Sequence, residues 1–258
     1  MAAIITLTTD FGTQDGFVGA MKGRLLSICP EARLIDITHD IHPQNLLQGA
    51  WTILRATRQF PEESIHVVVI DPGVGSHRRP VLIRSDQRWY IGPDNGVFSE
   101  IIRQYGTEEI HEILSETEWW QAHTSFDGLA LFAPVAAHLA AGLSPQKFCK
   151  PIDKLLTILP KSVPSFEGSS LRGKILQFDR FGNALTDIAT AHLEKLGKES
   201  PTISCQRKIF QLVSHYEEGR DQKAIAILNS DGFLELSVYC GSAEKELNLN
   251  RGDPVTIT

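Results

Sequence analysis

The stretch Val67-Val68-Val69-Ile70-Asp71-Pro72-Gly73-Val74-Gly75-Ser76-His77-Arg78-Arg79-Pro80 decides how the rest of the chain is read. Four consecutive β-branched residues describe a strand buried on both faces, as in the middle of a parallel sheet. The run stops at Asp71 and passes into a Pro- and Gly-punctuated loop that carries two arginines. Ligands of open α/β sheets sit in the crevice beyond the carboxyl ends of the strands. Asp71 at that edge, with Arg78 across the loop, can set a carboxylate and a guanidinium over one small site. The same residues fit a plain β-turn with a capping Asp and solvated arginines, and this stretch alone does not choose between the two.

Working outward, residues 4–9 read as a first strand, followed by the polar turn Asp10-Phe11-Gly12-Thr13-Gln14-Asp15-Gly16. Residues 17–28 carry Phe17, Met21, Leu25 and Ile28 at helical spacing, and Pro30 stops the helix. Residues 34–38 form a second strand ending in His39 and Asp40, and residues 45–58 a helix with Leu46, Ala50, Ile53 and Leu54 as its apolar stripe. Strand and helix alternating at this spacing predict an α/β domain around a largely parallel sheet. Residues 81–84 and 89–92 predict a strand pair, Pro93-Asp94-Asn95-Gly96 a turn before a helix over 97–104, and residues 131–141 an apolar helix with Pro134 in its first turn.

Between Pro160 and Gly173 the composition shifts to Pro, Ser and Gly, which predicts an N-terminal domain over 1–160, a linker over 161–173 and a C-terminal domain over 174–258. Beyond it the strand signals 174–178, 184–188, 202–205, 209–213, 224–228, 233–239 and 255–258 are short and separated by turn residues. They predict a small antiparallel β-domain of sandwich or barrel type.

Bulk properties narrow the function classes. The formal charge of −6 over 258 residues argues against a nucleic-acid binder, which needs a basic face. No apolar run approaches the roughly 20 residues of a membrane helix, and the N-terminus lacks the basic region of a signal peptide. Cys29, Cys149, Cys205 and Cys240 are far apart and form no CxxC pair, so zinc-finger and redox-motif readings fail. Buried, reduced thiols in a cytoplasmic protein are expected. The nine histidines show no metal-ligand spacing, and His138 on its apolar helix reads as a core histidine. Trp119-Trp120 reads as packing. No G-x-G-x-x-G after a strand, Walker A or G-x-S-x-G elbow is found.

Three strand ends finish in polar groups: Asp10, His39 with Asp40, and Asp71. A carboxylate can accept two hydroxyl hydrogen bonds at once, which suits a ribose diol, and Asp10 beside Phe11 could do so. An Asx-turn or helix cap is the equally simple alternative. In the C-terminal half, Asp179-Arg180-Phe181-Gly182-Asn183 combines charge, an aromatic face and an amide, the makings of a cradle for a purine-like base. It is also an ordinary hairpin turn. Tyr216 could add a second stacking face, and Asn229-Ser230-Asp231-Gly232 with Glu235 after it is a further polar turn.

Taken together and in this order, Thr9-Asp10-Phe11-Gly12 with Asp15, Val18-Gly19-Ala20-Met21-Lys22-Gly23, Asp36-Ile37-Thr38-His39, Asp71-Pro72-Gly73-Val74-Gly75 with Arg78-Arg79, Gly92-Pro93-Asp94-Asn95-Gly96, the run 132–140, Asp179-Arg180-Phe181-Gly182-Asn183 and Asn229-Ser230 with Gly232 resemble one family. This is the S-adenosylmethionine (SAM) hydroxide adenosyltransferases, or SAM hydrolases, relatives of the fluorinases and chlorinases. The resemblance implies an N-terminal α/β domain and a C-terminal β-domain in a homotrimer, with SAM held between one subunit's N-terminal domain and its neighbour's C-terminal domain. It implies attack of water at the ribose C5′, releasing adenosine and methionine, with SAM as substrate and neither cofactor nor metal. By similarity Asp10 holds the ribose hydroxyls, Asp179 and Ser230 the amino and carboxylate ends of methionine, and Phe181, Asn183 and Tyr216 face the adenine. Asp71 matches the hydrolases, whereas the halogenating relatives carry Tyr there.

One departure stands out. The hydrolases resembled carry Thr-Phe-His-Gly-Arg-Asp where this chain reads Ser125-Phe126-Asp127-Gly128-Leu129-Ala130, so Asp127 stands in place of the histidine of their Asp-Arg-His set. A sulfonium leaves as a neutral thioether and needs no general acid, and a carboxylate can accept the water's proton in place of imidazole. Two carboxylates at one small site repel unless a cation lies between them. The expected catalytic set is therefore Asp71, Arg78 and Asp127, with Arg78 bridging the other two. The competing class is a degenerate relative that binds SAM or adenosine without cleaving it, and a third is a halide-dependent adenosyltransferase.

Overall fold

The computed structural model describes residues 2–114, 125–158, 164–221 and 224–258. Trp119 and Trp120 lie outside the described residues. The chain divides into two compact units, residues 1–159 and 160–258.

The first unit is a seven-stranded sheet with helices. In chain order it runs β1 (Ile4–Thr9), α1 (Phe17–Ile28), β2 (Arg33–Thr38), α2 (Leu46–Thr57), β3 (Ile65–Val69), β4 (Pro80–Ser85), β5 (Arg88–Pro93), α3 (Ser99–Tyr105), β6 (Glu109–Ile113), α4 (Ala133–Ala140) and β7 (Cys149–Pro151). The strand order is β2-β1-β3-β5-β4-β6-β7. Pairing is parallel from β2 to β5 and antiparallel beyond, so the parallel sheet read from the sequence covers the first four strands in space. The change of sense comes from the hairpin β4–β5, whose second strand, not its first, pairs with β3.

β3 is buried throughout, and Val67, Val68, Val69 and Ile70 are sealed on both faces. Val67 and Val69 join a core with Met21 and Leu25 of α1 and Val135 and Ala136 of α4. Ile70 points the other way, toward α2: a side chain at Gly49 of that helix would come within 2.9 Å of its Cδ1. A parallel strand covered by helices on both faces has no room for alternating polar residues, which is why the run reads as unbroken aliphatic.

The sheet order creates a switch point. From β1 the chain moves to β2 on one side and then returns to β3 on the other. Thr9 lies opposite Val69 in the register, so Asp10 leaves β1 and Asp71 follows β3 from neighbouring strands at nearly one level. This is the position in which open α/β sheets hold ligands.

The second unit is a closed barrel. Its elements are β8 (Ser165–Glu167), β9 (Ser170–Phe178), β10 (Ala184–Ala189), α5 (Thr190–Leu196), β11 (Ile203–Cys205), β12 (Lys208–Val213), β13 (Ile225–Leu228), β14 (Phe233–Ser237), α6 (Ala243–Glu246) and β15 (Pro254–Ile257). The ring is β9-β10-β14-β13-β12-β11-β15 and back to β9, with β8 folded onto β9 as a hairpin. Every pair is antiparallel except β12–β13, which is parallel. A parallel pair needs a crossover rather than a tight turn, and the connection from 214 to 224 supplies it, carrying the 3-10 turn Tyr216–Gly219.

Several expectations are corrected. The linker expected over 161–173 is in part strand, because Ser165-Phe166-Glu167 and Ser170-Leu171-Arg172 pair across a turn that Gly168 makes with φ +59°. The apolar helix expected over 131–141 is entered through a π-helical turn, Gly128–Phe132, and is α-helical from Ala133. Phe17 belongs to no core stripe and is 46% exposed. His138 is half-buried at the rim of α4. Only Cys149 and Cys205 are buried, and burial pushes their thiols up to about 12 and about 11, while Cys29 is half-buried and Cys240 exposed. No described helix is long and apolar enough to cross a membrane.

Candidate active site

At the carboxyl edge of β3 the chain turns sharply, with the Val74 N–H donating to the Asp71 carbonyl at 3.2 Å and the Ser76 N–H to the Gly73 carbonyl at 3.0 Å. Gly75 takes φ +79°. The turn folds Arg78 back over Asp71. Its Nε lies 3.1 and 2.9 Å from the two carboxylate oxygens and its Nη2 2.5 Å from Oδ2, a forked, charge-assisted pair. The same Nη2 donates to Asp127 Oδ2. Arg78 therefore lies between the two carboxylates.

The exposures of these side chains are low: 5% for Asp71, 10% for Arg78 and 13% for Asp127. Burial alone would lower the affinity of Arg78 for its proton, but hydrogen bonds and charge from Asp71 and Asp127 more than offset this and raise its pKa. The guanidinium also sits over the Phe132 ring, with Cζ 5.5 Å from the centroid. Three residues thus hold one formal negative charge at the end of β3.

Asp127 is delivered by the π-helical turn, a geometry that recurs at functional sites. Gly128 permits it: a Cβ there would meet the Phe126 ring at 2.7 Å and Met21 Sδ at 3.1 Å. The opposite wall is held by Asn95, whose Nδ2 donates to the Ile70 carbonyl at 2.9 Å, directly before Asp71. Asp94 accepts from Arg79 Nε at 3.0 Å and from the Leu156 N–H at 2.7 Å. The Pro93-Asp94-Asn95-Gly96 stretch, read from sequence only as a turn, thus buttresses the Asp71 loop. A Pro-Asp-Asn-Gly run directly after a buried strand was the signal available.

Asp10 leaves the neighbouring strand, and its Oδ2 accepts from the Gln44 N–H at 2.7 Å. It is neither an Asx-turn nor a cap for α1, since its bond reaches across to the loop before α2. Phe11 packs edge-on against Phe126 at 5.4 Å, and Phe17 meets both rings, at 6.0 and 5.1 Å. An open cleft of about 360 Å³ lies between the two loops, lined among others by Asp10, Phe11, Asp15, His39, Asp40 and His42. Asp71, Arg78 and Asp127 do not line it.

In the barrel, the Asp179–Asn183 segment is a tight turn in which Asp179 Oδ1 accepts from the N–H groups of Phe181 (2.9 Å) and Asn183 (2.8 Å), and Oδ2 from Asn183 Nδ2 (3.0 Å). Gly182 takes φ +84° in it. The turn leaves Phe181 75% exposed. Tyr216 donates its hydroxyl to Glu235 Oε1, which Ser237 Oγ also approaches at 3.2 Å, while Asn229 Nδ2 lies 3.4 Å from Glu235 Oε2. Burial and then the Glu235 carboxylate raise the Tyr216 pKa, so the phenol stays protonated. Glu235 is buried, Tyr216 and Ser230 are exposed, and the Asn229 contact ties the turn bearing Ser230 to the Tyr216–Glu235 pair. Among the described residues no group of three or more His, Cys, Asp or Glu side chains is placed to hold a metal ion.

Comparison with known proteins shows the family. Residues 5–149 match the SAM hydroxide adenosyltransferase N-terminal domain and residues 173–256 its C-terminal domain. A protein of Methanocaldococcus jannaschii named (R)-S-adenosyl-L-methionine hydrolase is 34% identical over 98% of this chain and 95% of its own. One of the same name from Thermus thermophilus is 34% identical over 96% and 97%. A fluorinase from Nocardia brasiliensis is more distant, at 28% over 98% and 96%. The crystal structure of an uncharacterized conserved protein from Thermotoga maritima superposes with a TM-score of 0.91 at 30% identity, covering 98% of this chain and 99% of that one. The chain belongs to the SAM hydroxide adenosyltransferase family.

Proposed function

We propose that this protein cleaves S-adenosylmethionine with water, breaking the bond between the ribose C5′ and the sulfonium sulfur to give adenosine and methionine. The observation that carries the reading is the Arg78 bridge between Asp71 and Asp127 at the switch point of the sheet. Water needs two things there: a fixed orientation in line with the departing sulfur, and an acceptor for the proton it sheds. The guanidinium fixes the two carboxylates, and one of them takes the proton. No acid is needed on the leaving-group side, since a sulfonium departs as a neutral thioether.

In this reading Asp10 and Phe11 hold the ribose, Asp179 and Ser230 the amino and carboxylate ends of methionine, and Phe181, Asn183, Tyr216 and Glu235 the adenine side. The two sets of residues act on one substrate in a homotrimer, each site drawing on two subunits, and the free thiols suit the cytoplasm. Incubating the pure protein with SAM and separating the products tests the activity. Adenosine and methionine in equal amounts are expected, and both should fall away in Asp71→Asn. SAM bound in a calorimeter but recovered intact would leave a binding protein instead. Sedimentation that returns a monomer would remove the shared-site arrangement.

A further inference from the structure

Asp36-Ile37-Thr38-His39 and Lys22 stand out in the sequence, and the reaction as described uses none of them. We propose that His39 is a positioning residue that sets the Asp10 loop for the ribose hydroxyls, an inference that rests on the proposed function. His39 is buried, and it grips the loop at both ends. Its ring Nδ1 lies 2.8 Å from Thr9 Oγ1, just before Asp10, and its carbonyl accepts the Gly12 N–H at 2.8 Å, just after Phe11. No other residue holds Asp10 and Phe11 from both sides in this way among the described bonds.

The fold goes out of its way to place it. β1 and β2 run in register from Ile4↔Arg33 to Leu7↔Asp36 and then slip, with Thr8 opposite Thr38. β2 gains one residue on β1 there, a break in the register of the kind that re-aims a side chain beside a site. His39 follows directly and meets the end of β1 at Thr9. The proton on the ring follows from the network. The Asp36 carboxylate, 3.0 Å from Nε2, favours the ring hydrogen on that nitrogen, which leaves Nδ1 to accept the Thr9 hydroxyl. Nε2 lies 3.0 Å from Asp36 Oδ1, and Lys22 Nζ lies 2.5 Å from Asp36 Oδ2. Thr9, His39, Asp36 and Lys22 thus form one chain from the helix α1 to the ribose loop. The cleft beside that loop is lined by both Asp10 and His39.

The test compares SAM with its 2′-deoxy analogue in the full-length wild type, His39→Phe, His39→Asn and Thr9→Val, with thermal melts to establish that each is folded. Wild type should favour SAM by about 10²-fold or more in kcat/KM, because a site built to bond a hydroxyl rejects the analogue lacking it. In His39→Phe and Thr9→Val that preference should fall roughly tenfold. The loss should appear as a raised KM for SAM, with kcat held within about twofold, as expected where ground-state and transition-state binding fall together. His39→Asn, whose Oδ1 can accept from Thr9 where Nδ1 did, should restore the preference. An unchanged preference in folded His39→Phe and Thr9→Val overturns the proposal, as does a parallel fall of kcat for both substrates. A wild type that leaves SAM uncleaved fails the proposed function itself, and it does so before any variant is measured.

Discussion

Removing the Arg78 guanidinium is the most direct test of the site. In Arg78→Met the stem is kept and the charge is lost, leaving Asp71 and Asp127 facing each other at 5% and 13% exposure. Both Oδ2 atoms sit on the same Nη2, so by ordinary hydrogen-bond lengths they lie within about 5 Å of one another. At an effective dielectric of 20, two like charges at that distance repel by about 3 kcal/mol. For a domain of this size such a loss lowers the melting temperature by roughly 6–12 °C. The sign with pH follows from linkage: the repulsion disappears when one carboxyl takes up a proton, so the folded variant binds protons more tightly than the unfolded chain. Its deficit should be largest at pH 8 and shrink toward pH 5. Arg78→Met with Asp127→Asn should recover most of the stability, because only one charge is left to bury. Turnover of SAM should drop on the order of 10²-fold or more in the single variant, since the acceptor and the water lose their fixed geometry. Differential scanning fluorimetry across pH and a product assay read both effects. A single variant that melts with the wild type at pH 8 and hydrolyses SAM normally would refute the reasoning.

Three further outcomes follow from other parts of the molecule. Burial pushes the Asp187 carboxyl, which accepts the Lys174 N–H at 2.7 Å, up to about 6 from 3.8. A raised folded pKa costs stability as pH climbs from about 4 to about 6, roughly 3 kcal/mol in all, so Asp187→Asn should stabilise the barrel at pH 8 and not at pH 4. Gly92→Ala should cost about 3 kcal/mol or more by chemical denaturation, because the new Cβ would fall 2.2 Å from the Val68 carbonyl oxygen, which is backbone and cannot step aside. Tyr216→Phe leaves the buried Glu235 without its phenolic donor, and its KM for SAM should rise about tenfold, measured by steady-state kinetics.

How much of this could be read beforehand depends on whether the signal was local. β3 was legible because four β-branched residues in a row have few other uses, and Asp71 marks where they stop. The separation of Asp71 and Arg78 hinted at a pair, but that Arg78 also reaches Asp127 is a contact over 49 residues, reached here only through the resemblance and a charge argument. β6 was missed because Glu109-Ile110-His111-Glu112-Ile113 breaks the polar–apolar alternation at His111-Glu112 and lies far out in the sheet, where one face is half-exposed. β7 and β8 are three residues each, too short for any period. The π-helical turn before α4 was invisible because Gly128-Leu129-Ala130-Leu131-Phe132 is apolar in a pattern that suits an α-helix equally well. The Asp179 turn was legible as a turn. That its carboxylate is engaged by three donors of its own loop was not, since such bonds depend on the path of Gly182. The register shift before His39 likewise leaves no mark in Asp36-Ile37-Thr38-His39.

Asp127, where the family resemblance leads one to expect a histidine, looks at first like the loss of a base, yet the charge flow of the proposed reaction argues otherwise. As C5′ passes from sulfur to oxygen, the positive charge leaves the sulfonium and appears on the attacking water. A cluster that is formally anionic on the water side stabilises the charge where it arrives, and so favours the transition state over the bound substrate. The same cluster works against a halide. A chloride or fluoride ion brought to that position carries no proton to shed and meets two carboxylates of which only one is balanced by Arg78. At about 5 Å and an effective dielectric of 20, the uncompensated charge opposes the ion by about 3 kcal/mol, more than a hundredfold in occupancy. The protein should therefore form no chlorodeoxyadenosine from SAM in molar chloride, read by chromatography against a synthetic standard. Asp127→Ser, which leaves Asp71 and Arg78 as a neutral pair, should weaken the exclusion. Halide-dependent product from the wild type would show that the trio does not face the nucleophile at all.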